Sequence, residues 1–295
     1  MRNFVFLALA LTFCASSALS EQILPENLHS MPVLIEVPLP GGMQTSTGTG
    51  VFLSASNKVF LVTAAHCIFN VLSTNKSELL NSNAVISSLY QDKDGDGKNA
   101  FFLDLKQLSD NGLIRRHPAH DVTVIQVFSM APLGTNGPVL DLPVAGVQLA
   151  SRPWTVVTYA ASEVALSFTN IPDGSETYIL GYPVELLKDP TASEVDFSYP
   201  LIRRGIVSQR NRQTGKLIID SGVYGGNSGG PVLVVRQPSI GEKVFYVAGI
   251  ITQFVPVTTR VWPNAGITNS VLVNSGYGVA ESIDYAIELM AQCKP

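Results

Sequence analysis

Ser228 stands in the run Gly225-Gly226-Asn227-Ser228-Gly229-Gly230-Pro231. A serine in so glycine-dense a turn exposes its hydroxyl and lets backbone N–H groups crowd around it. His66 follows Thr63-Ala64-Ala65 and precedes Cys67, and Asp121 opens Asp121-Val122-Thr123. A hydroxyl, an imidazole to take its proton and a carboxylate to hold the imidazole are the parts of a nucleophilic triad. Chain order narrows the choice. Gly226-x-Ser228-x-Gly230 also fits the nucleophile elbow of α/β-hydrolases, which needs its acid and histidine after the serine. His29, His66, His117 and His120 all precede Ser228, so an elbow has no base. An order of Asp, His, Ser fails as well, because no aspartate occurs before Asp92 when His66 is the base.

Thr63-Ala64-Ala65-His66-Cys67, His120-Asp121-Val122-Thr123 and Gly226-Asn227-Ser228-Gly229-Gly230-Pro231, in that order, resemble the chymotrypsin-like (trypsin-like) serine peptidases. The resemblance runs from Val33 to Met290 and implies the following roles. His66 takes the Ser228 proton and returns it to the leaving amine, so its pKa must lie near the working pH. Asp121 accepts the imidazole N–H and fixes the tautomer. Read without the resemblance, Asp121 is a turn residue capping a strand, and Asp104 is a reserve acid in the poorer context Phe101–Leu105. Gly226 and Ser228 donate backbone N–H groups to the oxyanion. The fold implied is all-β: two antiparallel six-stranded β-barrels meeting at a cleft, with a C-terminal α-helix. The first barrel, about 30–130, carries His66 and Asp121; the second, about 145–278, carries Ser228; the helix covers about 279–291.

The implied activity is a secreted serine endopeptidase working through an acyl-enzyme on polypeptide substrates, as a monomer and without a cofactor. The rival is an inactive homologue that binds peptides or host proteins in its cleft. Two departures stand out. Asn227 replaces the aspartate that pairs with a freed amino terminus in pancreatic-type members, so that route to activation is closed. The earlier strand that usually holds a cysteine partner for Cys67 reads Thr47-Gly48-Thr49-Gly50-Val51-Phe52. Counting back from Ser228 puts the specificity pocket's base at Gly222 and Val223, with Thr252, Gln253 and Phe254 as the extended-substrate wall. No acid sits at that base, and a desolvated cation without a partner costs several kcal/mol, so small or medium apolar P1 residues are expected. Asp220 is near enough that a shift of the alignment reverses this.

Two other clusters suit a metal poorly. His117-x-x-His120-Asp121 has no accompanying zinc-type ligands. Asp92-Lys93-Asp94-Gly95-Asp96-Gly97 is similar to the start of a calcium loop, but the twelfth position is Leu103 rather than glutamate. Asp92, Asp94 and Asp96 are weak calcium candidates and read as a solvated acidic turn; no metal is expected.

The elements that must position these residues read as short strands: Pro32–Val37, Gly50–Leu53, Val59–Thr63, Val122–Phe128, Thr155–Tyr159, Tyr178–Leu180, Leu217–Asp220, Pro231–Val235 and Val244–Ile251. Gly, Pro and Asn turns break them, a pattern of sandwiches and barrels. The stretch Ala131–Pro138 marks the crossover. Ile283, Ile287 and Met290 fall on one helical face. Met1-Arg2-Asn3, the apolar run Phe4–Cys14 and the small residues before Glu21 form a signal peptide over 1–20. Bulky Phe13 argues against lipidation. No later stretch is apolar enough to span a membrane, so no membrane association is expected after cleavage. Loss of Arg2 with the leader takes the net charge from −4 to −5. That leaves no electrostatic footprint for nucleic acid. Cys67 and Cys293 remain, a pair compatible with one disulfide in an exported protein.

Overall fold

Strand Lys58–Thr63 is a Val-Phe-Leu-Val run with its last five residues buried. Such a run needs neighbours on both edges and cover on both faces. It pairs antiparallel with Thr45–Ala55 on one side and with Thr123–Pro132 on the other. This is the middle of the first sheet in the computed structural model, which describes residues 26–73, 76–92, 95–132, 139–150, 160–188, 194–196, 198–239, 242–261 and 269–293. From Thr45–Ala55 the sheet continues through Pro32–Pro38 and the hairpin Asn83–Asp92/Gly95–Asp104 to Val147–Leu149. Phe52, Phe101 and Phe128 meet edge to face at its centre, with centroids 5.7–6.4 Å apart. That geometry suits the ring quadrupoles and adds to the burial of three large side chains.

The second unit is a closed barrel of Glu176–Gly181, Leu201–Asn211, Lys216–Asp220, Asn269–Ser282, Glu242–Val261 and Pro231–Ser239. The fold is thus mostly β, as expected: two large curled antiparallel sheets, a small ribbon of Phe69–Ser73 with Lys76–Leu79, and a short C-terminal helix. The first sheet is larger than the expected six strands: it has ten among the described residues. The chain does not cross over after residue 130. Strand Val139–Pro143 turns back along Thr123–Pro132, and Ala160–Ala161 pairs parallel with Leu53–Ser54. Residues 133–138, the expected strand 155–159 and the leader 1–20 lie outside the described residues.

The C-terminal helix is Ile283–Gln292. Val279–Ser282, expected in the helix, stays in the barrel because Lys216–Ile218 and Gly249–Gln253 pair with it. The Ser282 hydroxyl accepts the Asp284 N–H at 3.2 Å and caps the helix. Its buried face is Ile283, Ala286, Leu289 and Met290, with Ile287 at the edge. That face packs where the two sheets meet, against Val122 and Val124 of the first and Val247 and Ile250 of the second.

The expected disulfide is absent: Cys67 and Cys293 are both free and buried. Cys67 belongs to the core of the first sheet and Cys293 to the cluster under the helix. The Cys67 thiol lies against Gly48 and donates to the Ser228 carbonyl at 3.5 Å. The glycine occupies the place opposite the thiol where a bridging partner would stand.

Candidate active site

Lys58–Thr63 runs into Ala64 and Ala65, both buried, and a single 3₁₀ turn, Ala65–Cys67. Small residues are needed there because the Ala65 N–H approaches the Asp121 carbonyl at 3.3 Å. Thr63 pairs with Thr123, so the register of two neighbouring strands puts His66 beside Asp121. The contact is double. The His66 backbone N–H donates to Asp121 Oδ1 at 3.0 Å, and Nδ1 lies 2.6 Å from Oδ2. Burial pulls the Asp121 carboxyl upward, but the two hydrogen bonds from His66, the His66 charge and the nearby Lys216 charge together outweigh it and hold the group below its ordinary pKa. Burial likewise lowers the His66 pKa, and the Asp121 hydrogen bond, helped by the neighbouring Cys67 thiol, reverses this and raises it above 6.5. The imidazole remains open on its outer side, with 42% of its side chain exposed.

The serine turn shows a distinct pattern in its amides. The Gly225 N–H donates to Glu185 Oε2 at 2.6 Å, Asn227 to the Tyr224 carbonyl at 3.0 Å, Gly229 to Ile251 at 2.6 Å and Gly230 to Asn227 at 2.9 Å. Among the described residues the N–H groups of Gly226 and Ser228 have no acceptor. These are the two amides that the sequence assigned to an oxyanion. Gly226 has φ +99°, and a Cβ there would collide with the Tyr182 carbonyl. Asn227 is buried, and its Oδ1 accepts the Tyr224 N–H at 3.1 Å, bracing the turn from within. The Ser228 hydroxyl is half-buried and reaches the Thr252 carbonyl at 3.5 Å. Substrate-free sites often hold the serine–histidine bond long, and here the serine hydroxyl bonds Thr252 instead.

Of the remaining expected positions, Gly222 lies on a loop whose carbonyl accepts from Arg203 Nη1. Val223 is a correction: its side chain packs in the second barrel's core against Gly278 and does not face a substrate. Its carbonyl accepts from Asn274 Nδ2. Thr252 is buried with its hydroxyl on the Val279 carbonyl, whereas Gln253 and Phe254 are exposed. Beyond Ile251 the outer edge of strand Glu242–Val261 has no backbone partner among the described residues. Asp220 ends its strand with an exposed side chain. Asp104 Oδ1 accepts the Gln107 N–H at 2.8 Å and caps the short helix Leu105–Asp110, which removes it as the reserve acid. Asp94 and the side chains of Asp92 and Asp96 lie outside the described residues. Among the described residues no cluster of His, Cys, Asp and Glu suits a metal ion.

Sequence reasoning missed three residues that shape the site. Thr49 comes from the first sheet: its hydroxyl donates to the Gly226 carbonyl at 2.6 Å and its N–H to the Ser228 carbonyl at 2.7 Å. Arg203 holds Gly222 and Asn227 Oδ1 (3.4 Å) with its guanidinium 4.5 Å from the Tyr224 ring centre. Burial lowers its pKa without neutralising it. Glu281 is the third. A threonine between two glycines and a lone acid in an apolar stretch are faint signals, and Arg203 has none.

An imidazole tied to a carboxylate, a serine in a braced turn and two unbonded amides are suited to acyl transfer. A family model described as a trypsin-like peptidase domain matches residues 48–238. Among solved structures, the chain is similar to the protease Anisep from Arthrobacter nicotinovorans. Identity is 15% over 90% of this chain and 96% of that one, with a TM-score of 0.46. It is also similar to the thermostable serine protease AL20 from an extremophilic microorganism, at 13% identity over 89% and 95%, with a TM-score of 0.49. No curated protein matches the sequence.

Proposed function

Since this chain belongs to the trypsin-like peptidase domain family, we propose that it is a secreted or periplasmic serine endopeptidase using His66, Asp121 and Ser228. The observation that carries the reading is the pair of amides at Gly226 and Ser228, left without acceptors among the described residues in a turn whose other N–H groups are bonded. A turn that served only as a hairpin would have no reason to leave these two free.

In this reading, neutral His66 takes the Ser228 proton at Nε2 as Oγ attacks the scissile carbonyl carbon. The carbonyl oxygen becomes an anion and accepts from the Gly226 and Ser228 N–H groups. Asp121 holds the imidazolium that forms. The proton then passes from Nε2 to the leaving amine, the C–N bond breaks and an acyl-Ser228 ester remains. Water, giving its proton to His66, repeats the cycle and releases the acid. The unpaired edge beyond Ile251 accepts the extended substrate by strand addition. Gly222 and Val223, the expected pocket base, bring no carboxylate of their own, which supports a preference for small or medium apolar P1 residues. Export rests on the leader-like residues 1–20.

A fluorophosphonate probe tests the assignment. It should label the protein once, at Ser228, at a rate that rises as His66 loses its proton, and peptides with Ala or Val at P1 should be cleaved faster than matched Arg peptides. Absence of labelling with retained peptide binding would favour the rival, a non-catalytic peptide-binding homologue. Arg preferred tenfold or more would move the pocket assignment to Asp220.

A further inference from the structure

Glu281 is fully buried, with 0% exposure. An isolated carboxylate in such a place is very costly, so its partners define its purpose. It has three donors. Lys216 Nζ lies 3.0 Å from Oε1, reaching across from the paired strand of the second barrel. The other two come from the first sheet: His120 Nδ1 is 2.9 Å from Oε2, and the Asp121 backbone N–H is 3.4 Å from Oε1. Tyr285 stacks on the His120 ring at 3.5 Å between centroids and covers it. His117 ties the same loop from inside, its Nδ1 accepting the N–H groups of Ala119 and His120 at 3.2 and 3.0 Å. The segment that presents Asp121 is therefore anchored to the barrel that carries Ser228 through the Glu281 carboxylate, with a longer contact, His117 Nε2 to Glu288 Oε2 at 3.7 Å, to the C-terminal helix.

We propose that Glu281 is a positioning residue for the triad: it fixes the Asp121 backbone and, through His120, holds the His66–Asp121 pair of the first sheet in register with Ser228 of the second barrel. It touches neither substrate nor reacting atoms. The inference rests on the triad reading given above. A loss of register between nucleophile and base acts on turnover more than on substrate capture, because small misplacements from outside the reacting centre cost rate.

The test uses the full-length protein carrying Glu281→Gln, His120→Phe, or both. Glutamine keeps the shape and one acceptor but loses the charge. Phenylalanine keeps the stack on Tyr285 and loses the donor. Active sites are counted with the fluorophosphonate, and kcat and KM are measured per counted site. Each single variant should lose about ten- to a hundredfold in kcat with KM within twofold. The double variant should lose no more than the worse single, since both break one linkage. The downfield proton resonance of His66 Nδ1–H should move upfield in each, and His120→Gln, which keeps a donor, should recover most of the activity. Lower melting temperatures with kcat per counted site within twofold of the parent would overturn the proposal and leave Glu281 a purely structural ion. If Glu281→Gln does not fold, His120→Phe decides in the same way. If the parent itself takes no label at Ser228, it is the triad reading that has failed.

Discussion

Asp121→Asn keeps the side chain's size and changes what it offers His66. The carboxylate accepts twice, from the backbone N–H at 3.0 Å and from Nδ1 at 2.6 Å. An asparagine can retain the first bond through its oxygen, which turns its NH₂ toward Nδ1. Nδ1 must then accept, the ring proton moves to Nε2, and the atom that should take the Ser228 proton already carries one. The same change in a triad of this type costs on the order of 10⁴ in kcat. That is about 5.5 kcal/mol of transition-state stabilisation. The pH profile carries a second signature. Only neutral His66 is competent, so in the parent kcat/KM rises with pH through the His66 pKa, which is raised from 6.5 to about 10. Without the carboxylate, burial is opposed mainly by Cys67, so the pKa falls and the rising limb moves to lower pH while its plateau drops. Steady-state kinetics on a good peptide between pH 5 and about 11.5, per counted active site, measures both. A plateau within tenfold of the parent, or a limb shifted upward, would refute the assignment of Asp121 as the group that sets the tautomer.

Ser228→Ala should fold at the parent's melting temperature and lose on the order of 10⁶ in kcat, read against the counted parent. Gly226→Ala forces a Cβ onto the Tyr182 carbonyl at φ +99°, so it should displace one oxyanion amide and lower kcat by roughly 10²–10³ even where the fold survives by circular dichroism. Arg203→Met removes the hydrogen bonds on Gly222 and Asn227 and should cost about 1–3 kcal/mol in a urea melt, with KM rising as the loop beside the pocket loosens.

The local make-up of the candidate site was legible before the fold because its requirements act over a few residues. A serine that must expose its hydroxyl beside free amides needs glycines where φ turns positive, and Gly226 and Gly229 supply them within two residues of Ser228. A histidine turn packed on a neighbouring strand needs small residues before it, and Ala64 and Ala65 are those residues. Hydrophobic runs such as Val59–Thr63 declare themselves as strands for the same reason: period and branching act over a few residues. Extent and partnership did not. The hairpin Asn83–Asp92/Gly95–Asp104 and the return of Val139–Pro143 were invisible, because pairing is settled by which edge lies open, and the crossover was placed too early in consequence. The cysteine pair was compatible with a bridge in composition, yet the two thiols fall into different cores. Val223 was assigned to the pocket by counting and turned into the barrel, since an apolar side chain at a loop follows the nearest core. Thr49, Arg203 and Glu281 reach partners 177, 24 and 160 residues away in sequence. The residue types at Ser228, His66 and Asp121 were set by the chain itself. Which side chains hold them in register was decided only when two sheets closed on one another, because a buried polar group takes whatever donor the packing brings within reach.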